Sequence, residues 1–419
     1  MIPAAPPFVG AESMYALLLD AVEGVAGIFG ILLVLIIVNK GWRELRERSL
    51  HRRREYLEQK LFRYVMASDP LESYLPAPFD PGDWPAIEGI FFDLTRVAKG
   101  SVRTRARAAF EKLGIVDHYL ERLRSRRWWI RAEACEKLGL IGSDRSIAPL
   151  VEHLSDSIPE VRFRASQALG SIGTSESLRP LVLALKSPGR WSAIRVSVML
   201  VAAGDEAVNV LLEEFQWLPD QAKLSAVDIF ARIRSLRASP LLRELLTDPN
   251  PDLRARAANA LGMLGDPTVA PLLVRAMEDP EWPVRAMAAK SLGHLREQSS
   301  IDALKAALAD SQWWVRANAA EALKAKGISG REALIQMLDS DDPYAAQQAV
   351  QMLQESGVLD HFIGMLVSSV PGEQTSALGL MAKLVKLRRV DLLTEAAREH
   401  PDRVVRQRLA TLLGTAAEA

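Results

Sequence analysis

Between Asp248 and Leu323 a single phrase of sequence occurs three times. It reads Asp-Leu-Arg-Ala-Arg-Ala-Ala-Asn-Ala-Leu-Gly at 252–262, Val-Arg-Ala-Met-Ala-Ala-Lys-Ser-Leu-Gly at 284–293 and Val-Arg-Ala-Asn-Ala-Ala-Glu-Ala-Leu at 315–323. Arg254, Arg285 and Arg316 follow one another at intervals of 31, and Asp248, Asp279 and Asp310 each precede their arginine by six. A period of this length restricts the chain to an array of stacked units, each burying its apolar face against the next. Array length is then set by the number of units, so 419 residues imply no particular number of globular domains.

Composition narrows the units to helices. Hydrophobic residues make up 49% of the chain and aromatic residues only 6%, which suits closely packed helices rich in Ala, Leu and Val rather than a sheet sandwich. The fold class is therefore all-α. Each unit offers a Leu-rich helix, a turn, and an Ala-rich helix led by Arg. Units open near Pro85, Val116, Ile147, Leu178, Val208, Ser239, Val269, Ile301, Arg331, Val358 and Val390, about eleven helix pairs with the first and last degenerate. Pro149, Pro180, Pro240 and Pro271 are predicted in the first turn of first helices, where a missing amide proton costs nothing. Gly139-Leu-Ile-Gly, Gly170-Ser-Ile-Gly and Gly262-Met-Leu-Gly are predicted to close second helices.

The fuller phrase Asp-x-x-x-x-Val-Arg-x-x-Ala-x-x-Ala-Leu-Gly, nearly whole at 156–170, 248–262 and 279–293, resembles the bacterial class of HEAT repeats also found in phycobilin lyases. The resemblance covers about residues 85–419 and implies a HEAT-repeat α-solenoid. Its motif residues are architectural, so the likeness carries fold and not activity. Alanines let neighbouring second helices approach, and an Arg at one fixed place per unit can reach the Asp of an adjacent turn, making a ladder of charge-assisted hydrogen bonds. Arg131, Arg162, Arg195, Arg254, Arg285 and Arg316 are assigned to that ladder. Lys223, Ala346 and Thr375 stand near the Arg position of their units, so the ladder is expected to weaken around 210–238 and after 330.

Ahead of the repeats the chain changes character. Residues 1–14 read as a short outer segment, and Tyr15 to Val38 as a run of 24 residues, about 36 Å as a helix against a hydrocarbon core of about 30 Å. The expectation is a single transmembrane helix. Lys and Arg crowd the segment after Val38 and are absent before it, which predicts an inner-membrane protein with its N-terminus out and its solenoid in the cytoplasm. Residues 39–70 form the expected basic juxtamembrane helix, with Leu50, Leu57 and Leu61 at helical spacing, able to lie along anionic headgroups. Residues 71–85, with four prolines, read as a linker, and 86–419 as the solenoid. Within the apolar run, Asp20, Glu23, Gly24, Gly27 and Gly30 share one helix face, a candidate contact for another membrane helix.

No enzyme chemistry is evident. Six scattered histidines make no i, i+3 or i, i+4 pair, and none precedes a glutamate, so no metal site is expected, in contrast to the HEAT-like iron hydroxylases of deoxyhypusine. Phosphate-loop, dinucleotide and Gly-x-Ser-x-Gly signatures are absent. The one cysteine, Cys135, occupies a small-residue position of its repeat and is expected in the core. No cofactor is assigned.

Binding is the remaining class. The 52 basic and 52 acidic residues cancel, and the positions two and five after each Arg, such as Arg256 and Asn259 or Met287 and Lys290, form no basic stripe, so no nucleic acid is expected as partner. Trp128, Trp129, Trp191, Trp282, Trp313 and Trp314 fall two to four residues before the Arg of their units. That phase places them on one rim, where indoles serve as anchors for a protein partner, unless each stacks on its own repeat. The sequence thus predicts a scaffold that docks a protein at the cytoplasmic membrane face. The alternatives are an accessory subunit of a membrane machine, such as an envelope-polymer synthase or exporter, and a relative of the lyases or hydroxylases.

Overall fold

The computed structural model describes residues 30, 32–40, 54–64, 66, 70–74, 83–97, 101–186 and 193–417. Among the described residues every regular element is an α- or 3-10 helix. They fall into two compact units, one within residues 1–149 and one within 150–419.

In the first unit a helix over 54–64 is followed by α1 (Trp84–Val97), α2 (Ser101–Lys112), α3 (Ile115–Arg122) and α4 (Trp128–Ile141), and α5 (Ile147–His153) begins. Its core is aromatic: the Phe110 ring lies 5.0 Å from Phe92 and 5.5 Å from Phe91. Cys135 is fully buried. The 54–64 helix is part of this core. Leu57 and Leu61 are buried, the Tyr64 hydroxyl donates to the Arg105 carbonyl at 3.3 Å, and Arg54 pairs with Asp93 at 2.5 Å. These leucines meet protein, not headgroups, because their helical spacing is matched by the apolar face of the unit behind them.

The second unit runs through α6 (Pro159–Ile172), α7 (Ser175–Ala184), α8 (Ala193–Ala203), α9 (Asp205–Glu214), α10 (Asp220–Ile233) and α11 (Ser239–Glu244). It continues with α12 (Pro251–Leu264), α13 (Ala270–Ala276), α14 (Trp282–His294), α15 (Ile301–Ala307), α16 (Trp313–Ala325) and α17 (Ile328–Met337). It ends with α18 (Pro343–Glu355), α19 (Val358–Met365), α20 (Pro371–Lys386), α21 (Val390–Glu399) and α22 (Arg403–Ala417). Even-numbered members are the second helices of their repeats, and α10, α12, α14 and α16 pack side by side.

The packing follows from small residues. Ala257, Ala258 and Ala260 of α12, Ala286, Ala288 and Ala289 of α14, and Ala319 and Ala320 of α16 are all buried. Closest approach is at glycine: a Cβ at Gly262 would lie 2.4 Å from the Ser291 Cβ, and one at Gly293 would lie 2.9 Å from the Ala322 Cα. Gly139, Gly170 and Gly262 therefore lie inside their helices, and the glycines three residues on end them. Gly173 and Gly265, with φ of 70° and 75°, take the left-handed conformation that lets an amide turn back onto the last carbonyls of the helix.

Pro240 and Pro271 lie in the first turns of α11 and α13. Pro180 is a departure: it is the sixth residue of α7, because a capping box starts this helix early. The Thr174 hydroxyl accepts from the Ser177 amide at 3.3 Å, and the Ser177 hydroxyl accepts from the Thr174 amide at 3.0 Å.

The predicted inner-membrane, single-pass localisation is not upheld: among the described residues no helix is long and apolar enough to cross a membrane. Residues 15–29 and 31, including Asp20, Glu23, Gly24 and Gly27 of the proposed contact face, lie outside the described residues. Gly30 is helical, with no atom within 4 Å of its added Cβ.

Candidate docking surface

Four of the turns leading into second helices are built by an aspartate. Asp156, Asp248, Asp279 and Asp310 each accept, through Oδ1, the backbone amide two residues on, at 2.8 to 2.9 Å. The arginine six residues later reaches back to the same turn. Arg162, Arg254, Arg285 and Arg316 donate from Nη1 to the carbonyl of their own aspartate at 2.8 to 2.9 Å, and also to the next carbonyl. Arg131 does the same to Ser125 and Arg126, and Arg406 to His400 and Pro401.

In the middle of the array the remaining guanidinium edge crosses to the following repeat. Arg254 donates from Nε and Nη2 to the Asp279 carboxylate at 2.7 and 2.9 Å, and Arg285 to Asp310 at 2.7 and 3.0 Å. These four side chains are only 11 to 16% exposed. Burial by itself would raise the Asp279 carboxyl, but the Arg254 hydrogen bonds, the Glu281 amide and the nearby guanidinium charges outweigh it and hold its pKa below the usual range. Asp310 is lowered by the same balance, with Arg285 and the Gln312 amide opposing burial. Elsewhere the arginines are held otherwise. Arg316 stacks over the Tyr344 ring at 4.7 Å, and Arg195 over Phe163 at 5.4 Å. Six residues whose common phase suggested one role thus occupy several settings.

Fixing these turns fixes what stands beside them. Trp282 opens α14, and Trp313 and Trp314 open α16. They are 40, 50 and 57% exposed, on two helices that pack together. Trp313 and Trp314 meet edge to face, centroids 4.8 Å apart. In the first unit Trp128 and Trp129 open α4, 6.1 Å apart and also edge to face, with Arg127 over the Trp129 ring at 5.7 Å. Trp191 lies outside the described residues. Two exposed aromatics of the second unit escaped the sequence reading. Tyr344 is the second residue of α18, as Trp314 is of α16, and could have been found by extending the phase beyond tryptophan. Trp217 is 68% exposed in the turn before α10, six residues ahead of Lys223, where other repeats carry Asp.

Beside these turns lies a buried lysine that the sequence reading also missed. Lys326, at the end of α16, donates to the carbonyls of Leu295 and Glu297 at 2.8 and 2.6 Å and lies 3.5 Å from the Glu297 carboxylate. Burial lowers its pKa, opposed by Glu297. Among the described residues no three His, Cys, Asp or Glu side chains gather as a metal site.

Models of HEAT repeats match residues 116–200, 208–284, 238–324 and 275–354, together more than half of the chain. The chain belongs to the HEAT-repeat family. No curated protein matches it by sequence. Among solved structures, this HEAT-repeat chain is similar to human deoxyhypusine hydroxylase in complex with glycerol, at 22% identity and a TM-score of 0.26, covering 75% of this chain and 99% of that one. It is similar to the CpcE and CpcF complex of phycocyanin lyase from a Nostoc species, at 18% identity and a TM-score of 0.23, covering 69% and 98%. It is also similar to the karyopherin Kap121p bound to the extreme C-terminus of the phosphatase Cdc14p, at 15% identity and a TM-score of 0.41, covering 83% of the HEAT-repeat chain and 48% of the karyopherin.

Proposed function

We propose that this HEAT-repeat protein is a non-enzymatic scaffold that docks a protein partner on the aromatic rim of α14 and α16. The observation that carries the reading is the exposure of Trp282, Trp313 and Trp314 at the starts of two packed helices, 40 to 57% each. Covering the open half of one indole, on the order of 100 Å², would contribute about 2.5 kcal/mol. That is the size of an interface anchor. The turns below are held by Asp279, Arg285 and Asp310, so the indoles are presented on a support already ordered before a partner arrives, which lowers the entropic cost of docking. Tyr344, 58% exposed in α18, extends the row by one repeat.

The test compares wild type with Trp313→Ala/Trp314→Ala by crosslinking and pull-down from cells that express the protein naturally, with melting curves on the same proteins. Recovery of one discrete partner that falls about thirtyfold in apparent affinity, equivalent to about 2 kcal/mol, at an unchanged melting temperature supports the rim. Equal recovery, or recovery that falls only as stability falls, returns the indoles to architecture.

A further inference from the structure

Beyond α16 the ladder of arginines is interrupted: Ala346 takes its position in α18, and Gln374, donating to the Ser368 carbonyl, takes it in α20, before Arg406 in α22. There the array opens. First helix α21 rests mainly on α22 and only lightly on α20, and a groove of about 730 Å³ lies among the end of α18, α19, α20 and α21. Its floor is apolar: Leu359, Ile363, Leu384 and Leu393 are buried beneath it. Glu355, Asp360, Glu395 and Glu399 stand exposed around it. No described Lys or Arg lines it, although α20 and α21 carry several; Lys383 is instead paired with Asp339 at 2.8 Å.

We propose that this groove is a second docking site, taking a basic amphipathic helix from a partner protein. An apolar floor requires an apolar stripe on the occupant, and four unneutralised carboxylates at the rim select Lys or Arg beside it. Two surface helices forming the long walls match the shape of a third laid between them. On α21 Leu392, Glu395, Ala396 and Glu399 recur at i, i+3, i+4 and i+7, so one helical face presents both wall and rim. The proposal goes beyond the aromatic rim and does not depend on it.

The test is fluorescence anisotropy of a tagged synthetic 18-residue helix of Leu and Lys, titrated with the full chain at low and high salt. Its counterpart with Glu in place of every Lys serves as control. Binding of the basic peptide should weaken at high salt, and should fall at least tenfold in Asp360→Asn/Glu395→Gln/Glu399→Gln. The triple variant changes only exposed side chains, and its melting curve confirms the fold. Trp313→Ala/Trp314→Ala should bind the peptide as wild type does, so failure of the rim leaves this result untouched. Equal affinity in the triple variant, or equal binding of the Glu peptide, overturns the proposal. Self-association of the chain that Glu395→Lys/Glu399→Lys abolishes would also overturn it, giving the groove to a second copy.

Discussion

Arg285 and Asp310, one repeat apart, are joined by two parallel hydrogen bonds of 2.7 and 3.0 Å while Arg285 also holds the carbonyls of Asp279 and Pro280. One guanidinium therefore closes its own turn and fastens the next. Arg285→Ala should destabilise the protein by about 2–4 kcal/mol, because it leaves a largely buried carboxylate unpaired. Arg285→Lys should recover only part of this, since an ammonium cannot span both carboxylate oxygens. Urea midpoints of the three proteins check the order.

Acid should loosen the same rungs. Asp279 and Asp310 are held below the ordinary carboxylate value in the folded protein. Such groups add stability that is fully present above the unfolded value, about 4, and lost as pH falls through the lower native one. The melting temperature of wild type should therefore drop between pH 5 and the acid limit of about pH 2. Asp279→Asn/Asp310→Asn should be less stable at neutral pH and show a shallower acid slope.

Glycines on one face of the array and on another should respond oppositely to alanine. Gly262→Ala would drive a Cβ to 2.4 Å from the Ser291 Cβ and 2.7 Å from its Cα, costing about 1–3 kcal/mol or more as α12 and α14 separate. Gly379, exposed inside α20 with nothing within 4 Å of its added Cβ, should gain up to about 1 kcal/mol from the same change. Thermal melts of the two single variants decide the signs.

Lys326→Met should cost about 2–3 kcal/mol, because the Leu295 and Glu297 carbonyls lose a buried charged donor that an apolar chain of similar length cannot replace. Denaturant unfolding measures the loss. An unchanged midpoint would mean that water serves those carbonyls as well.

What could be read from the residues was what repeats. The Arg254, Arg285 and Arg316 phase marks real turns, and the alanines around it mark the buried faces of α12, α14 and α16. Features that occur once were harder to see. Pro180 looked like a helix start because three other prolines fill first turns, yet the Thr174 and Ser177 pair begins α7 earlier. Lys326 has no distinguishing neighbour in the sequence; it is a site only because the end of α14 lies under it. The groove at α21 draws its walls from four helices, and nothing in any one of them announces that α21 stands away from α20. Length and hydropathy are all that the sequence offers for the apolar run ahead of Val38, whereas Leu57 and Leu61 behind it are buried in protein. A pattern of spacing says that a face is apolar without saying what covers it.

The offsets within each rung, 25 residues forward to the carboxylate and 6 back to the carbonyl, span one full period. A duplicated or excised segment of 31 residues, cut at any point, would therefore restore a matched donor and acceptor at the new junction, whereas a gain or loss that is not a multiple of 31 would strand both. Growth and shortening of the central array by whole modules are in this sense tolerated by its chemistry, and the three near-identical phrases at 252–262, 284–293 and 315–323 are what such a history of copying would leave behind.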